Sequence, residues 1–410
     1  MFCPNCKGNK ALCFKEVCPY ENKQMFKSVD IMADEFSSNS PPSVFVGSKL
    51  PYPHVNVGVL SPPQRTEDSW MYDAQTFWAR ENIPINQILK YRSQLINSRF
   101  KTNVLSARTS TKFLDLTQEI GMALKPVDVE IELAKKIHLG MDYDNVALPT
   151  GPKALLKKLT ITENVKIDRK VEKIVDDTDL KAAEGLEYLY QNKFDEKALH
   201  QLLSIGVLGL VKNRKLVPTR WAITAVDDVI GKNLLKAIRY YNSIDSYMMY
   251  YGHYLGNHFI AMLFPDVFSY EVFENYLPRS SWNPGNEVKT STDYENFYGR
   301  KNYVEETAGG YYAGRLPVLE TLNAMRRQAT CLVLRFETPD YWASLGVFVV
   351  REAMRKTMRT QPMIFDSKEA MLKKARDIAL SSVKFDINGL LKRSKVLATI
   401  KTQTKLLQFI

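Results

Sequence analysis

Val217-Pro218-Thr219-Arg220-Trp221-Ala222-Ile223-Thr224-Ala225-Val226-Asp227-Asp228 passes into a helical pattern over residues 229–240, and an aromatic-rich, strand-like block follows over 247–264. Two hydrophobic periods meet in one stretch, so the chain predicts an α+β fold with a mixed sheet core and helices. Within the quoted segment Arg220 follows Lys212, Arg214 and Lys215, and Thr219 adds a hydroxyl. Such a cluster fits phosphate contacts, which makes these four basic residues candidate nucleic-acid ligands. Asp227 and Asp228 stand seven and eight residues after Arg220. Adjacent carboxylates can hold a divalent cation or pair with an arginine. On a strand the two would point to opposite faces, so at most one would share a site with Arg220. Asp228 can instead cap a helix beginning at Val229. A buried Arg–Asp pair with a helix cap and a catalytic or metal role both remain open here.

Toward the N-terminus, residues 180–190 and 196–203 read as helices, and 154–179 is rich in Lys, Val and Ile with acidic interruptions. Residues 127–133 alternate apolar positions with Asp128, Glu130 and Glu132, as a half-exposed strand does. From 68 to 120 the pattern is helical, carried by Trp70, Phe77, Trp78, Ile88, Leu89, Leu95 and Ile96. Short strands are expected in 44–60, and the Ser, Asn and Pro of residues 37–42 make 27–43 a linker. Toward the C-terminus, 278–314 is loop-rich and holds Gly285, Gly299, Gly309, Gly310 and Gly314. Strand or core segments at 331–336 and 344–350 precede a helix at 368–382. The expected organisation is a metal module at 1–26, the linker, a core domain at 44–275, a second α+β portion at 276–382, and a flexible basic tail at 383–410.

The chain has 410 residues and a net charge of +11, an excess that favours polyanionic partners. No run approaches the roughly 18 apolar residues of a membrane span, so no membrane is expected. The sequence opens on Met1-Phe2-Cys3, without a charged-then-apolar leader, and a cytoplasmic location is expected. In a reducing compartment, clustered cysteines are ligands or reactive thiols. Four of the five cysteines form the pattern C-x2-C-x6-C-x4-C at Cys3, Cys6, Cys13 and Cys18. Two residues between ligands let one tight turn aim both thiolates at a single ion, and Gly8 lets the backbone turn back. Zinc suits such a closed four-thiolate site. An iron–sulfur cluster uses the same thiolates. The fifth cysteine, Cys331, lies in an apolar strand and is expected in the core.

A second long segment, Gly309-Gly310-Tyr311-Tyr312-Ala313-Gly314-Arg315-Leu316-Pro317-Val318-Leu319-Glu320, carries its own candidates. Paired glycines permit close backbone approach to a ligand, tyrosines can stack on bases, and Arg315 can grip phosphate. A tight turn with core tyrosines explains the same residues, and Glu320 falls on the helix that follows. The spacing matches neither a P-loop nor a dinucleotide fingerprint. Of the five histidines, His253 and His258 are closest in sequence. As strand residues they would take opposite faces, which argues against a shared metal site. The sequence ends in Gln403-Thr404-Lys405-Leu406-Leu407-Gln408-Phe409-Ile410. One helical turn would put Leu406, Phe409 and Ile410 on one side as a plug for an apolar pocket, with Gln403 at its edge. That is the clamp-binding peptide pattern, with Ile410 where an aromatic is common.

The cysteine module, the 217–228 and 309–320 segments, and Pro41-Pro42-Ser43-Val44-Phe45-Val46-Gly47 running on through Tyr52-Pro53-His54 together resemble the archaeal Nre family of DNA-repair proteins. The resemblance spans nearly the whole chain. It implies a DNA-repair role with binding to the sliding clamp (PCNA), and it leaves the chemistry open. The expected function is therefore a DNA-binding repair factor recruited to the clamp. The competing expectation is a nucleic-acid-modifying enzyme, a metal-dependent nuclease or a transferase, with Arg220, Asp227, Asp228, Arg315 and Glu320 as catalytic candidates. An RNA-binding reading fits the charge but not the clamp peptide.

Overall fold

The computed structural model describes residues 34–402. The chain forms two compact units, one of Met1–Ile230 with Ala343–Phe348, the other of Gly231–Trp342 with Val349–Ile410.

The first unit is built on a six-stranded sheet. Its strands are β1 (Glu35–Ser40), β2 (Val44–Val46), β3 (His54–Ser61), β4 (Ile96–Asn103), β5 (Val127–Leu133) and β6 (Lys153–Ile161), in the order β1-β5-β6-β4-β3-β2. β5 shows why the alternation is readable: Val127, Val129, Ile131 and Leu133 are buried, while Glu130 points to solvent. The helices are α1 (Gln75–Arg80), α2 (Ile85–Ser93), α3 (Lys112–Met122), α4 (Arg169–Asp176), α5 (Ala182–Gln191) and α6 (Glu196–Ser204). Those at 180–190 and 196–203 fall where their 3.6-residue period puts them. The stretch expected to be a linker instead contributes β1, paired antiparallel with β5. Residues 96–103, expected within a helical run, form β4 between β3 and β6. Pairing on both sides overrides the local pattern there.

The division between the units falls within α7 (Thr219–Ile238). The helix starts well before the 229–240 pattern suggests. Ile223, Thr224 and Val226 are β-branched and weaken the helical signal. Pro218, immediately before the first residue of α7, is a usual start signal of a helix.

The second unit has its own six-stranded sheet: β7 (Tyr247–Tyr254), β8 (Asn257–Phe264), β9 (Ser269–Tyr276), β10 (Lys289–Glu295), β11 (Thr330–Glu337) and β12 (Met363–Phe365), in the order β10-β9-β11-β8-β7-β12. β9 ends at Tyr276, and β10 pairs with it antiparallel. β7 and β8 are a hairpin closed at Leu255 and Gly256, with φ of 46° and 72°. Positive φ at both positions is the signature of a two-residue turn that matches strand twist. α8 (Ala308–Met325) packs on one face of the sheet: the Tyr270 and Tyr311 rings meet edge-on at 5.3 Å, and a Cβ at Gly310 would lie 2.2 Å from Glu274 Oε1. Gly309 and Gly310 therefore lie inside α8 and not in a tight turn, and Gly310 admits close helix-on-sheet packing.

α9 (Phe348–Met358) begins inside the 344–350 segment expected as strand or core; the segment is buried but forms no strand. α10 (Lys368–Val383), α11 (Asn388–Arg393) and α12 (Lys395–Thr402) share an apolar core with Ile260, Met262, Leu332, Leu334 and Phe336 of the sheet. Met371, Ala375 and Ala379 recur every four residues along the buried stripe of α10. The tail expected to be flexible is thus folded as far as residue 402, with Leu390, Leu391, Val396 and Leu397 buried. Glu271 receives the start of α12: its carboxylate accepts the N–H groups of Lys395 and Val396 at 2.9 and 3.0 Å. A carboxylate at a helix N-terminus answers unsatisfied donors and the helix dipole together.

Candidate nucleic-acid interface

Residues 206–221 of the first unit present basic and aromatic side chains on a tied backbone. Gly206 has φ of +74°, and a Cβ there would lie 2.8 Å from Lys215 O. Arg214 secures the loop from inside. Its Nε donates to Gly209 O at 2.9 Å and its Nη2 to Val175 O at 2.5 Å, and burial lowers its pKa. Arg108 Nε binds Arg214 O at 3.0 Å, and Leu216 N binds Val104 O at 2.9 Å. The sequence pattern puts Arg214 among the phosphate ligands; here its guanidinium is engaged by backbone carbonyls. Lys212 and Lys215 are both exposed on the same loop.

The start of α7 is fixed by Thr219, which accepts Val46 N at 2.9 Å and meets Ser204 Oγ at 3.3 Å. Ala222, Val226 and Ile230 line its buried side, whereas Trp221 is 57% exposed. Arg220 reaches Asn145 Oδ1 at 2.9 Å and Asp144 Oδ2 at 3.4 Å, with its side chain 35% exposed. Exposed ammonium groups can meet phosphates, and an exposed indole can stack on a base. Sequence reasoning misses Trp221 because an aromatic inside an apolar run reads as core. The signal that could have found it is its place one residue after Arg220, off the buried i, i+4 stripe.

The five catalytic candidates divide between the units: Arg220, Asp227 and Asp228 belong to the first, Arg315 and Glu320 to the second. Asp227 is fully buried on α7, and Arg220 pairs with Asp144. Asp228 stands inside α7 and not before it, so the expected cap is not made. Arg315 is 1% exposed; its Nη1 contacts both oxygens of buried Glu295 at 3.0 and 2.8 Å, between the rings of Tyr311 and Tyr312. Those tyrosines are core residues. Glu320 forms a forked pair with Arg355 at 2.6 and 3.0 Å. Arg335 is a further buried hub, bound to Glu274 at 2.5 Å, Glu337 at 3.1 Å and Asn257 at 2.7 Å. Burial pushes the Glu337 carboxyl up to about 7. Cys331 is buried, and its thiol is pushed well up.

His253 and His258 correct the strand count. The hairpin turn between them makes them direct cross-strand partners, with rings stacked 4.9 Å apart. Tyr251 Oη meets His258 Nδ1 at 3.0 Å, and burial, then His253, pushes His258 down to about 4. Among the described residues, no group of three or more His, Cys, Asp or Glu could hold a metal ion. Cys3, Cys6, Cys13 and Cys18, and Gln403, Leu406, Phe409 and Ile410, lie outside the described residues.

The family model for the archaeal Nre N-terminal region matches residues 12–283, and that for the Nre C-terminal region matches 295–409. The chain belongs to the archaeal Nre family. The Nre relatives include the DNA repair protein NreA of Haloferax volcanii, 38% identical over 79% of this chain and 78% of its own. NreA of Archaeoglobus fulgidus is 37% identical over 89% of this chain and 90% of its own. NreB of the same organism, also named a DNA repair protein, is 37% identical over 91% and 92%. No solved structure matches this Nre chain. No helix among its described residues is long and apolar enough to cross a membrane.

Proposed function

We propose that this Nre chain is a DNA-repair protein that binds DNA through the basic, aromatic surface of its first unit. Gln403, Leu406, Phe409 and Ile410 recruit it to the sliding clamp (PCNA), and it acts in the cytoplasm, where the DNA is. The observation that carries the reading is the spacing of those four residues directly after α12, whose Val396 and Leu397 are anchored in the core. The names of the relatives and the net charge of +11 support the DNA side. The nuclease or transferase reading has no such support, since Arg220, Arg315 and Glu320 hold ion-pair partners.

Calorimetric titration of a sliding clamp with the full chain and with a chain ending at residue 402 tests recruitment, and equal affinity for both would end it. For DNA, Lys212→Ala with Lys215→Ala should weaken duplex binding several-fold at low salt. It should also reduce the salt slope by roughly 2, about one for each phosphate no longer neutralised. An unchanged slope would move the interface elsewhere. The four thiolates of Cys3, Cys6, Cys13 and Cys18 would hold zinc as a closed structural site, stabilising the fold of the module without chemistry of its own. Purified protein should carry zinc that Cys6→Ser releases, and iron in its place by elemental analysis would assign a cluster instead.

A further inference from the structure

A cavity of about 500 Å³ opens in the first unit, away from residues 206–221. It lies where the chain enters α4 and α6 and leaves α5. Ligand sites of this class run from roughly 300 to 1,000 Å³, the scale of one nucleotide rather than a strand.

The charges in the cavity are not balanced. Three carboxylates line it, and each is taken. Asp73 accepts Arg92 Nη1 at 2.7 Å and Ser43 Oγ at 2.6 Å, with Lys197 Nζ at 3.5 Å. Asp168 caps α4 through Lys170 N at 2.8 Å, and Asp195 caps α6 through Ala198 N at 2.9 Å. Lys125 is paired with Glu163 at 3.2 Å. That leaves Lys170 and Lys193, whose ammonium groups hold no ion pair or hydrogen bond among the described residues. Apolar wall comes from Trp70, 40% exposed and edge-on to Phe77 at 5.0 Å, and from half-buried Phe194.

Lys193 adds an independent observation. It ends α5 in the left-handed region with φ of +70°; its N–H binds Tyr190 O at 2.9 Å, and Phe194 N binds Leu189 O at 3.1 Å. That hydrogen-bond pair is the helix-ending motif in which glycine is favoured at this position. A lysine is therefore held there against backbone preference, with its side chain on the cavity wall.

We propose that this cavity is a nucleotide site, taking one nucleoside monophosphate unit with its phosphate on Lys170 and Lys193 and its base on the rings of Trp70 and Phe194. Ammonium groups answer the phosphate, and the aromatic faces answer the base in a sequence-tolerant way. The unit arrives free in solution or extruded from a strand, and the second source rests on the DNA-binding reading.

The test titrates the full chain with dAMP by calorimetry and with a short single-stranded oligonucleotide by fluorescence anisotropy. Lys193→Gly suits the left-handed backbone, so its melting temperature should hold or rise. Its affinity for the bound ligand should nonetheless fall by about three- to fivefold, and further with Lys170→Ala added. Loss on dAMP identifies a free nucleotide, and loss on the oligonucleotide alone identifies an extruded one. Unchanged affinity for both ligands in the double variant overturns the proposal. So does inorganic phosphate competing as well as dAMP, because the rings would then contribute nothing. Duplex binding that depends on Lys212 and Lys215 reports the DNA reading separately, whichever way the cavity behaves.

Discussion

Alanine at Phe409 should weaken binding to a sliding clamp by about a hundredfold, which is the scale of losing a central aromatic anchor from an interface. Three apolar side chains at i, i+3 and i+4 fall on one side of a helical turn, so Leu406, Phe409 and Ile410 can enter one apolar pocket together. Phe409 is the largest of the three and has the most apolar surface to bury. Gln403 would supply orientation through hydrogen bonds, and its loss should cost less. The fold should be indifferent to these changes. α12 ends at Thr402, and its start is secured by Glu271 and by buried Val396 and Leu397. Calorimetric titration against a clamp reads the affinity, and a thermal melt reads the fold. Full-strength binding by Phe409→Ala would mean that the clamp, if bound at all, is held by some other surface.

Glu295→Ala should destabilise the second unit by roughly 3–5 kcal/mol, the usual cost of breaking a buried ion pair from one side. Glu295 and Arg315 have side-chain exposures of 0% and 1%, and Arg315 Nη1 contacts both carboxylate oxygens. Removing the carboxylate takes the opposite charge of Glu295 away from a guanidinium held in the interior against two tyrosine rings. For a unit of this size the melting temperature should drop on the order of 10 °C. Glu295→Gln keeps an acceptor but not the charge and should fall between alanine and the wild type. A melt of Glu295→Ala within a degree or two of the wild type would show that Arg315 is satisfied without Glu295. The same pair explains why Arg315, legible as a phosphate grip in the sequence, is an interior residue.

Much of the candidate chemistry is visible in the sequence because it is local. A cysteine spacing or a clamp peptide is written in a dozen neighbouring residues, and family membership is written in several such runs. The lysines at 212 and 215 are visible for the same reason. Arg214 reads with them, yet its guanidinium turns inward to Gly209 and Val175. Charge alone cannot show which of three basic neighbours faces solvent. The cavity beside Lys193 could not have been read at all. Its walls come from α3, α4 and α6, from the turn after α5, and from residues as distant in the chain as Pro41 and Trp70.

By itself, the sequence determined that strands and helices alternate in two periods, that the chain is a basic Nre protein, and where α5, α6, α10 and β11 lie. In those elements the burial pattern repeats within a few residues, so local periodicity and tertiary environment agree. Tertiary structure decided the rest. It made residues 219–228 a helix despite their β-branched side chains, and it drew Gly309 and Gly310 into α8, where the missing Cβ at Gly310 admits Glu274. It set His253 opposite His258 and turned part of an apparent linker into β1. In each case the deciding partner lies on another element, and the pairing or close packing it offers outweighs the small intrinsic preference of the segment.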